Sequence, residues 1–184
     1  MSRLFLAIPL PAPLARLAIE TRARLVTDPS SWRLTREEGL HATLRFLGEV
    51  TPEVEARGDR SWRDAARGTG AIPLVLAGAG AFPTARRPRV LWLGLQDRGP
   101  GGALAALAGR VERASRGLGF PPETRPFSPH VTLARARPGA RAAPITPLPD
   151  ELGSFLADRI VLYRSETGPG GARYHEQASY PLSP

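Results

Sequence analysis

The sequence predicts an α+β fold in which two similar lobes, with mostly antiparallel sheets, surround a central cleft. Strand-like and helix-like segments alternate along the chain, and the last two strands follow each other as an antiparallel hairpin. One four-residue motif also occurs twice. It reads His41-Ala42-Thr43-Leu44 and then His130-Val131-Thr132-Leu133, a spacing of 130 − 41 = 89 residues. This is close to half of the 184 residues, so the spacing indicates a duplication with one motif per lobe.

The predicted elements follow from apolar periodicity and from proline and glycine positions. A short apolar strand at residues 3–8 ends at Pro9, and an amphipathic helix runs from Pro13 to about Val26. The further predicted strands are 32–34, 40–48, 71–79, 88–95, 128–135, 154–164 and 172–180, the helices 52–67 and 103–118, and the loops and turns 99–102, 138–149 and 167–171. We expect residues 1–184 to form a single two-lobed domain.

The composition excludes several classes of protein. No apolar run approaches the roughly 18 residues that span a bilayer, and the apolar N-terminal stretch is too short for a secretory signal. Without cysteine there is no disulfide, thiolate nucleophile or cysteine-ligated zinc, and a cytoplasmic location is expected. The net charge is +8 and every basic residue is arginine, whose planar fork binds two phosphate oxygens. An anionic partner such as nucleic acid is expected, the alternative being a chain-wide compositional bias toward arginine.

Each motif places a histidine and a threonine on one face of a strand, because side chains at i and i+2 point the same way. His41 and Thr43 therefore share a face, while Ala42, Leu44 and Phe46 are expected to point into a core. The second motif repeats the pattern. Two related lobes would bring both pairs to one cleft.

Paired histidines and hydroxyls suit the hydrolysis of a cyclic phosphodiester. A base must take a proton from water, and an acid must protonate the departing ribose oxygen. Histidine, with an ordinary pKa of about 6.5, serves in either role. His41 and His130 could act on opposite sides of the phosphorus, while Thr43 and Thr132 donate hydrogen bonds to its non-bridging oxygens. This chemistry requires no metal, cofactor or covalent nucleophile.

The third histidine, His175, has no threonine two residues later, and we interpret it as structural or peripheral. A zinc site built from all three histidines stays open as an alternative. However, no His-x-x-x-His pair or comparable metal-ligand spacing is present.

With these motifs, the chain resembles the two-histidine phosphoesterase superfamily. Within it, the sequence is most similar to the LigT-like RNA 2′,3′-cyclic phosphodiesterases, which are also described as 2′-5′ RNA ligases. The resemblance follows the expected order over nearly the whole chain and lies in the segments 3–9, 41–48, 127–135 and 162–165.

The resemblance implies a monomeric, metal-independent enzyme that opens the 2′,3′-cyclic phosphate at an RNA end to a 2′-phosphate. It implies that His41 is the general acid on the 3′ oxygen, that His130 is the general base on water, and that Thr43 and Thr132 bind the phosphate. Arg135 matches an arginine that often ends the second motif and is a further candidate to bind the phosphate. Regular strand alternation predicts that Arg135 faces away from His130, so its reach into the cleft requires a bend in the strand or a long side-chain path.

Two other functions stay open. A 2′-5′ RNA ligase would run nearly the same site in reverse, although water favours hydrolysis unless a second RNA end is held in place. A non-catalytic module that binds RNA or nucleotides would be marked by loss of a histidine, and both are present. Transfer-RNA fragments, other cleaved RNAs and small cyclic nucleotides are all anionic substrates of the expected kind.

Overall fold

A computed structural model describes residues 1–140, 143–145, 148–168 and 171–183. The helices are α1 (Ala12–Leu25), α2 (Pro52–Ala66) and α3 (Ala103–Gly117). The strands are β1 (Ser2–Pro9), β2 (Trp32–Leu34), β3 (His41–Val50), β4 (Ile72–Thr84), β5 (Arg87–Asp97), β6 (His130–Ala136), β7 (Leu148–Ala157), β8 (Arg159–Gly168) and β9 (Gly171–Pro181). Within the described residues these strands form one sheet in the order β7-β4-β5-β6-β3-β1-β8-β9, with β2 beside β6. All their pairings are antiparallel, which confirms the predicted α+β class.

Proline and a side-chain cap begin α2 where the sequence predicts it. Pro52 occupies the first turn, where no intrahelical partner for a backbone N–H is needed. The Thr51 hydroxyl accepts a hydrogen bond from the Val54 N–H at 3.5 Å, and Glu53 and Glu55 lie at the positive end of the helix.

The three helices pack against one face of the sheet, and their apolar side chains share a single core with that face. Large members of this core include Leu4, Leu6, Ile8, Leu91, Leu93 and Leu133 from the strands and Leu14, Trp62, Leu107 and Val111 from the helices. The opposite face of the central strands is therefore left for the motif side chains. No helix in the described part of the chain is long and apolar enough to cross a membrane.

The prediction of a single strand at 154–164 is wrong, because parts of two strands occupy this region. β7 ends at Ala157 and β8 begins at Arg159, and they pair with β4 and β1, far apart in the sheet. The flanking residues make one nearly continuous apolar run, so the pattern hides the break at Asp158. The chain thus ends in three strands, with the predicted hairpin formed by β8 and β9.

The loop regions also differ from the prediction in part. β4 and β5 extend further than expected and leave only a two-residue turn at Ala85 and Arg86. In the predicted loop 138–149, residues 141–142 and 146–147 lie outside the described residues, and β7 begins at Leu148. Residues 169–170 of the predicted linker 167–171 also lie outside them.

A β-bulge follows the threonine in both motifs. The register between β1 and β3 skips Leu44, and skips again at Leu47, while the register between β5 and β6 skips Leu133. Leu44 and Leu133 hold equivalent positions in the two motifs. A bulge sets two residues opposite one and so reverses the alternation of side chains beyond it. The internal similarity therefore extends from the sequence to the backbone.

Candidate active site

The two motifs meet where the halves of the sheet join. The register between β3 and β6 consists of a single pair, Ala42 opposite Val131, and both of these side chains are buried in the core. Their neighbours on each strand consequently point to the opposite face. The structure brings together on that face the four side chains that the sequence predicts, which are His41, Thr43, His130 and Thr132. This face of the sheet around the two histidines is called the cleft below.

Both imidazole rings are held in the same way. Nδ1 of His41 lies 2.8 Å from the carbonyl oxygen of Gly39, and Nδ1 of His130 lies 2.7 Å from that of Ser128. A carbonyl oxygen only accepts hydrogen bonds, so Nδ1 carries the hydrogen in each neutral ring. The Nε2 atom is then the unprotonated nitrogen. Each histidine is therefore oriented to take up or release a proton at Nε2.

Aromatic rings enclose His41. Ring centroids lie 4.7 Å away for Phe5, 5.0 Å for Tyr174 in a T-shaped contact, and 5.9 Å for Tyr163 in a stacked one. Gly39 allows this packing, since a Cβ at Gly39 would lie 3.1 Å from the ring of Tyr174. Sequence reasoning missed these three aromatic residues, which reach His41 from β1, β8 and β9.

Burial lowers the pKa of His41 to about 4, against an opposing effect of its backbone hydrogen bond, and the charges of Arg135 and His130 lower it further. The pKa of His130 is also lowered, again chiefly by burial, with Arg135 acting in the same direction. Phe82 packs edge-on against His130 with ring centroids 5.1 Å apart. Both imidazoles are consequently neutral in the unliganded protein at pH 7.

Arg135 lies on the same face as the histidines, contrary to regular alternation. The bulge at Leu133 supplies the bend, because it turns the next exposed side chain toward the cleft. Arg135 is exposed, and its charge acts on His41, His130 and Tyr174. The cleft therefore holds a cation close to both imidazoles.

The predicted burial of Phe46 is wrong, because its side chain is 57% exposed. The bulge at Leu44 reverses the alternation in β3 and brings Phe46 to the cleft face, at the position equivalent to Arg135. The preceding residue, Arg45, is turned inward and is only 6% exposed. Its Nε lies 3.1 Å from a carboxylate oxygen of Glu112 on α3.

His175 lies outside the cleft. Its Nε2 atom is 3.1 Å from a carboxylate oxygen of Glu166, and its neighbour Tyr174 points to the cleft instead. The three histidines therefore do not share one site. In the part of the chain that the structure describes, no group of three or more histidine, cysteine, aspartate or glutamate side chains is arranged to hold a metal ion.

Comparisons with known proteins identify a family and several relatives. A family model described as the 2′-5′ RNA ligase superfamily matches residues 11–169. An RNA 2′,3′-cyclic phosphodiesterase of Geobacillus stearothermophilus is 36% identical over 98% of this chain, which spans only 57% of that protein. One from Escherichia coli K12 is 36% identical over 94% of this chain and 92% of its own length. The crystal structure of E. coli LigT complexed with 3′-AMP matches with a TM-score of 0.80 at 32% identity, covering 98% of both chains.

Proposed function

Because the chain belongs to the 2′-5′ RNA ligase superfamily of two-histidine phosphoesterases, we propose that it hydrolyses the 2′,3′-cyclic phosphate at RNA ends to a 2′-phosphate. The observation that carries the proposal is the pairing of two histidine–threonine sets across the junction of β3 and β6, each histidine with Nε2 available. The names of the relatives support the substrate class.

In the proposed reaction, a water oxygen attacks phosphorus in line with the bond to the ribose 3′ oxygen. Nε2 of His130 takes the proton from this water as the new P–O bond forms. The bond between phosphorus and the 3′ oxygen breaks, and Nε2–H of protonated His41 gives its proton to that oxygen. The products are a 2′-phosphate and a 3′ hydroxyl group. Exchange with solvent then restores both histidines.

The remaining cleft residues would stabilise the charge that develops on phosphate. The hydroxyls of Thr43 and Thr132 donate hydrogen bonds to the non-bridging oxygens, and Arg135 supplies a positive charge. The anion would also favour the imidazolium form of His41, which burial otherwise disfavours. Substrate binding would therefore favour protonation of His41, which is the general acid of the proposed reaction.

The test is hydrolysis of an RNA oligonucleotide ending in a 2′,3′-cyclic phosphate, with excess chelator, by wild type, His41→Ala, His130→Ala and the matched control His175→Ala. We expect a 2′-phosphate product, a loss of about 10²–10⁴-fold in kcat for each cleft variant, and near-normal turnover for the control. Circular dichroism checks that all variants fold. Absence of turnover by wild type would favour a binding module, and chelator-sensitive turnover would contradict the metal-independent mechanism.

The second candidate function is 2′-5′ RNA ligation, which the description of the matching family favours. The same site would then join a cyclic-phosphate end to the 5′ hydroxyl of another RNA. That hydroxyl would attack phosphorus in place of water, and the bond between phosphorus and the 3′ oxygen would break as before. Adding a 5′-hydroxyl RNA to the same assay tests it, because ligation gives a longer, 2′-5′-linked product. If hydrolysis alone is seen at high RNA concentration, ligation is not a property of this site.

We also propose that the protein acts as a single two-lobed domain, as a monomer and in the cytoplasm. The continuous sheet supports the single domain, and the cysteine-free composition suits a reducing compartment. Transfer-RNA fragments and cyclic nucleotides are the substrates to compare. Light scattering at assay concentrations would contradict the monomer if it gave a mass near twice 19.8 kDa.

A further inference from the structure

We propose that Arg33 binds the phosphodiester that joins the last two nucleotides of the RNA, so that the cleft prefers an RNA chain to a cyclic mononucleotide. This inference rests on the proposed function, because it adds a subsite for a second phosphate beside the reactive one. The ligand class is an oligonucleotide of two or more nucleotides. A cyclic mononucleotide lacks the second phosphate and would leave Arg33 without an anion.

Strand pairing places Arg33 beside Arg135. Arg33 is the central residue of β2 and lies directly opposite Arg135 of β6 in the antiparallel register. The side chains of two opposite residues project from the same face of a sheet, with Cβ atoms about 5 Å apart. Because Arg135 lies on the cleft face, Arg33 lies there too. The preceding residue agrees with this direction, since Trp32 is buried in the core on the other face while Arg33 is exposed.

These two arginines lack the neutralising partners that other arginines of the chain have. On α2, for example, Asp59 and Asp64 form ion pairs with arginines three or four residues away. Among the side chains that the structure describes, no carboxylate forms an ion pair with Arg33 or Arg135. Like charges directly opposite each other destabilise a sheet. A bound anion would offset this repulsion, whereas a chain-wide bias toward arginine gives no reason for two unpaired cations on the cleft face.

The electrostatic effects of the two arginines separate their roles. The charge of Arg135 lowers the pKa of both His41 and His130, and Arg33 is not among the charges that do so. Arg135 is therefore placed for the reactive phosphate, which leaves Arg33 for another anion. In RNA the nearest other anion is the phosphodiester on the 5′ side of the terminal ribose. Its two non-bridging oxygens match the planar fork of a guanidinium group.

The first test compares three substrates. They are adenosine 2′,3′-cyclic phosphate, the adenosine dinucleotide that ends in the same cyclic phosphate, and this dinucleotide with an uncharged methylphosphonate in place of its internal phosphodiester. Arg33→Gln removes the cation, and Arg33→Lys keeps the charge without the fork. Arg57→Gln on α2 is the matched control, because it removes an exposed arginine on the other face of the sheet.

The measured quantity is the ratio of kcat/KM for the phosphodiester dinucleotide to kcat/KM for the methylphosphonate dinucleotide. For Arg33→Gln we expect this ratio to fall about 10-fold, mainly through KM, because one charge-assisted contact to the substrate is lost. Arg33→Lys should retain part of the preference, and Arg57→Gln should retain all of it. Turnover of the mononucleotide shows that each variant is folded. An unchanged ratio for Arg33→Gln would overturn the proposal.

The second test does not depend on turnover. Calorimetry at several salt concentrations measures binding of 2′-AMP and of the adenosine dinucleotide that carries a terminal 2′-phosphate. Arg33→Gln should lower the affinity for the dinucleotide, relative to that for 2′-AMP, by about 10-fold. It should also reduce the slope of log K against log salt for the dinucleotide by about 0.7, the value for one phosphate contact on a single strand.

The two tests separate the subsite from the proposed function. Equal weakening of both ligands by Arg33→Gln, or weakening of neither, would refute the subsite even if wild type hydrolyses cyclic phosphate. If wild type binds the dinucleotide in the expected way but hydrolyses no cyclic phosphate, the proposed function fails and the subsite for the second phosphate stands.

Discussion

The enclosed imidazole of His41 should make the stability of the fold depend on pH. Replacing His41 with glutamine keeps an uncharged polar side chain of similar size but removes the titrating group. In wild type, the folded chain resists protonation at this position, since the pKa of His41 is lowered to about 4. The unfolded chain has no such resistance, and its histidine titrates near 6.5.

The sign and size of the effect follow from proton linkage. Below pH 6.5 the His41 side chain binds a proton in the unfolded state but not in the folded state. The free energy of unfolding therefore decreases as the pH falls from 6.5 toward 4. Between pH 8 and pH 5, pKa values of 6.5 unfolded and about 4 folded correspond to a loss of at most about 2 kcal/mol. The open edge of the ring at the cleft keeps some solvent, which makes this an upper value.

Urea unfolding of wild type and His41→Gln at several pH values between 8 and 5 measures the effect. The free energy of unfolding of wild type, relative to the variant, should fall by up to about 2 kcal/mol over this range. Titrating groups that do not interact with His41 cancel in this difference. His175→Gln controls for the loss of an exposed histidine on the other face. A difference between wild type and His41→Gln that stays constant with pH would refute the argument that burial keeps this imidazole neutral.

Three further predictions concern the cleft and its support. Thr43→Val and Thr132→Val should each lower kcat by about 100-fold, because each variant removes a proposed hydrogen-bond donor to the phosphate. Valine keeps the shape of the side chain, so the melting temperature should not fall. Unchanged steady-state rates would contradict this prediction. Binding of sulfate, which does not titrate near neutral pH, should raise the pKa of His41, seen by NMR as an upward shift in the titration of its ring protons; an unshifted titration would place the anion elsewhere. Arg45→Met should destabilise the fold by about 3 kcal/mol, since it leaves the carboxylate of Glu112 without the buried guanidinium of Arg45. Urea unfolding at pH 7 measures this change, and a decrease below about 0.5 kcal/mol in the free energy of unfolding would contradict the prediction.

The local part of the site could be predicted from the sequence because it depends only on neighbouring residues. The alternation of side chains over three residues decides that a histidine and the threonine two positions later share a face. Proline and capping residues likewise decide where α2 begins. Neither inference requires knowledge of which strands pair.

The bulges could not be predicted because they are properties of pairing between distant strands. Leu44 and Leu133 look like ordinary core residues in the sequence, and only their registers against β1 and β5 reveal the extra residue. The directions of Phe46 and Arg135 depend on these bulges. The same reason explains why alternation alone gave the wrong face for both side chains.

The aromatic residues around His41 could not be predicted from the sequence for a related reason. Phe5, Tyr163 and Tyr174 reach it from three strands whose order in the sheet is not written in any local pattern. A detectable signal existed for Phe5 and Tyr163, which lie within the segments 3–9 and 162–165 that carry part of the family resemblance, but not for Tyr174.

The division of acid and base roles between the histidines depends on orientation more than on their resting pKa values. His41 is enclosed by three aromatic rings and has its pKa lowered to about 4, so its imidazolium form is disfavoured when no anion is bound. A strongly acidic imidazolium is nevertheless a good proton donor once a phosphate anion has stabilised it. The histidine that acts as acid is then the one facing the leaving 3′ oxygen.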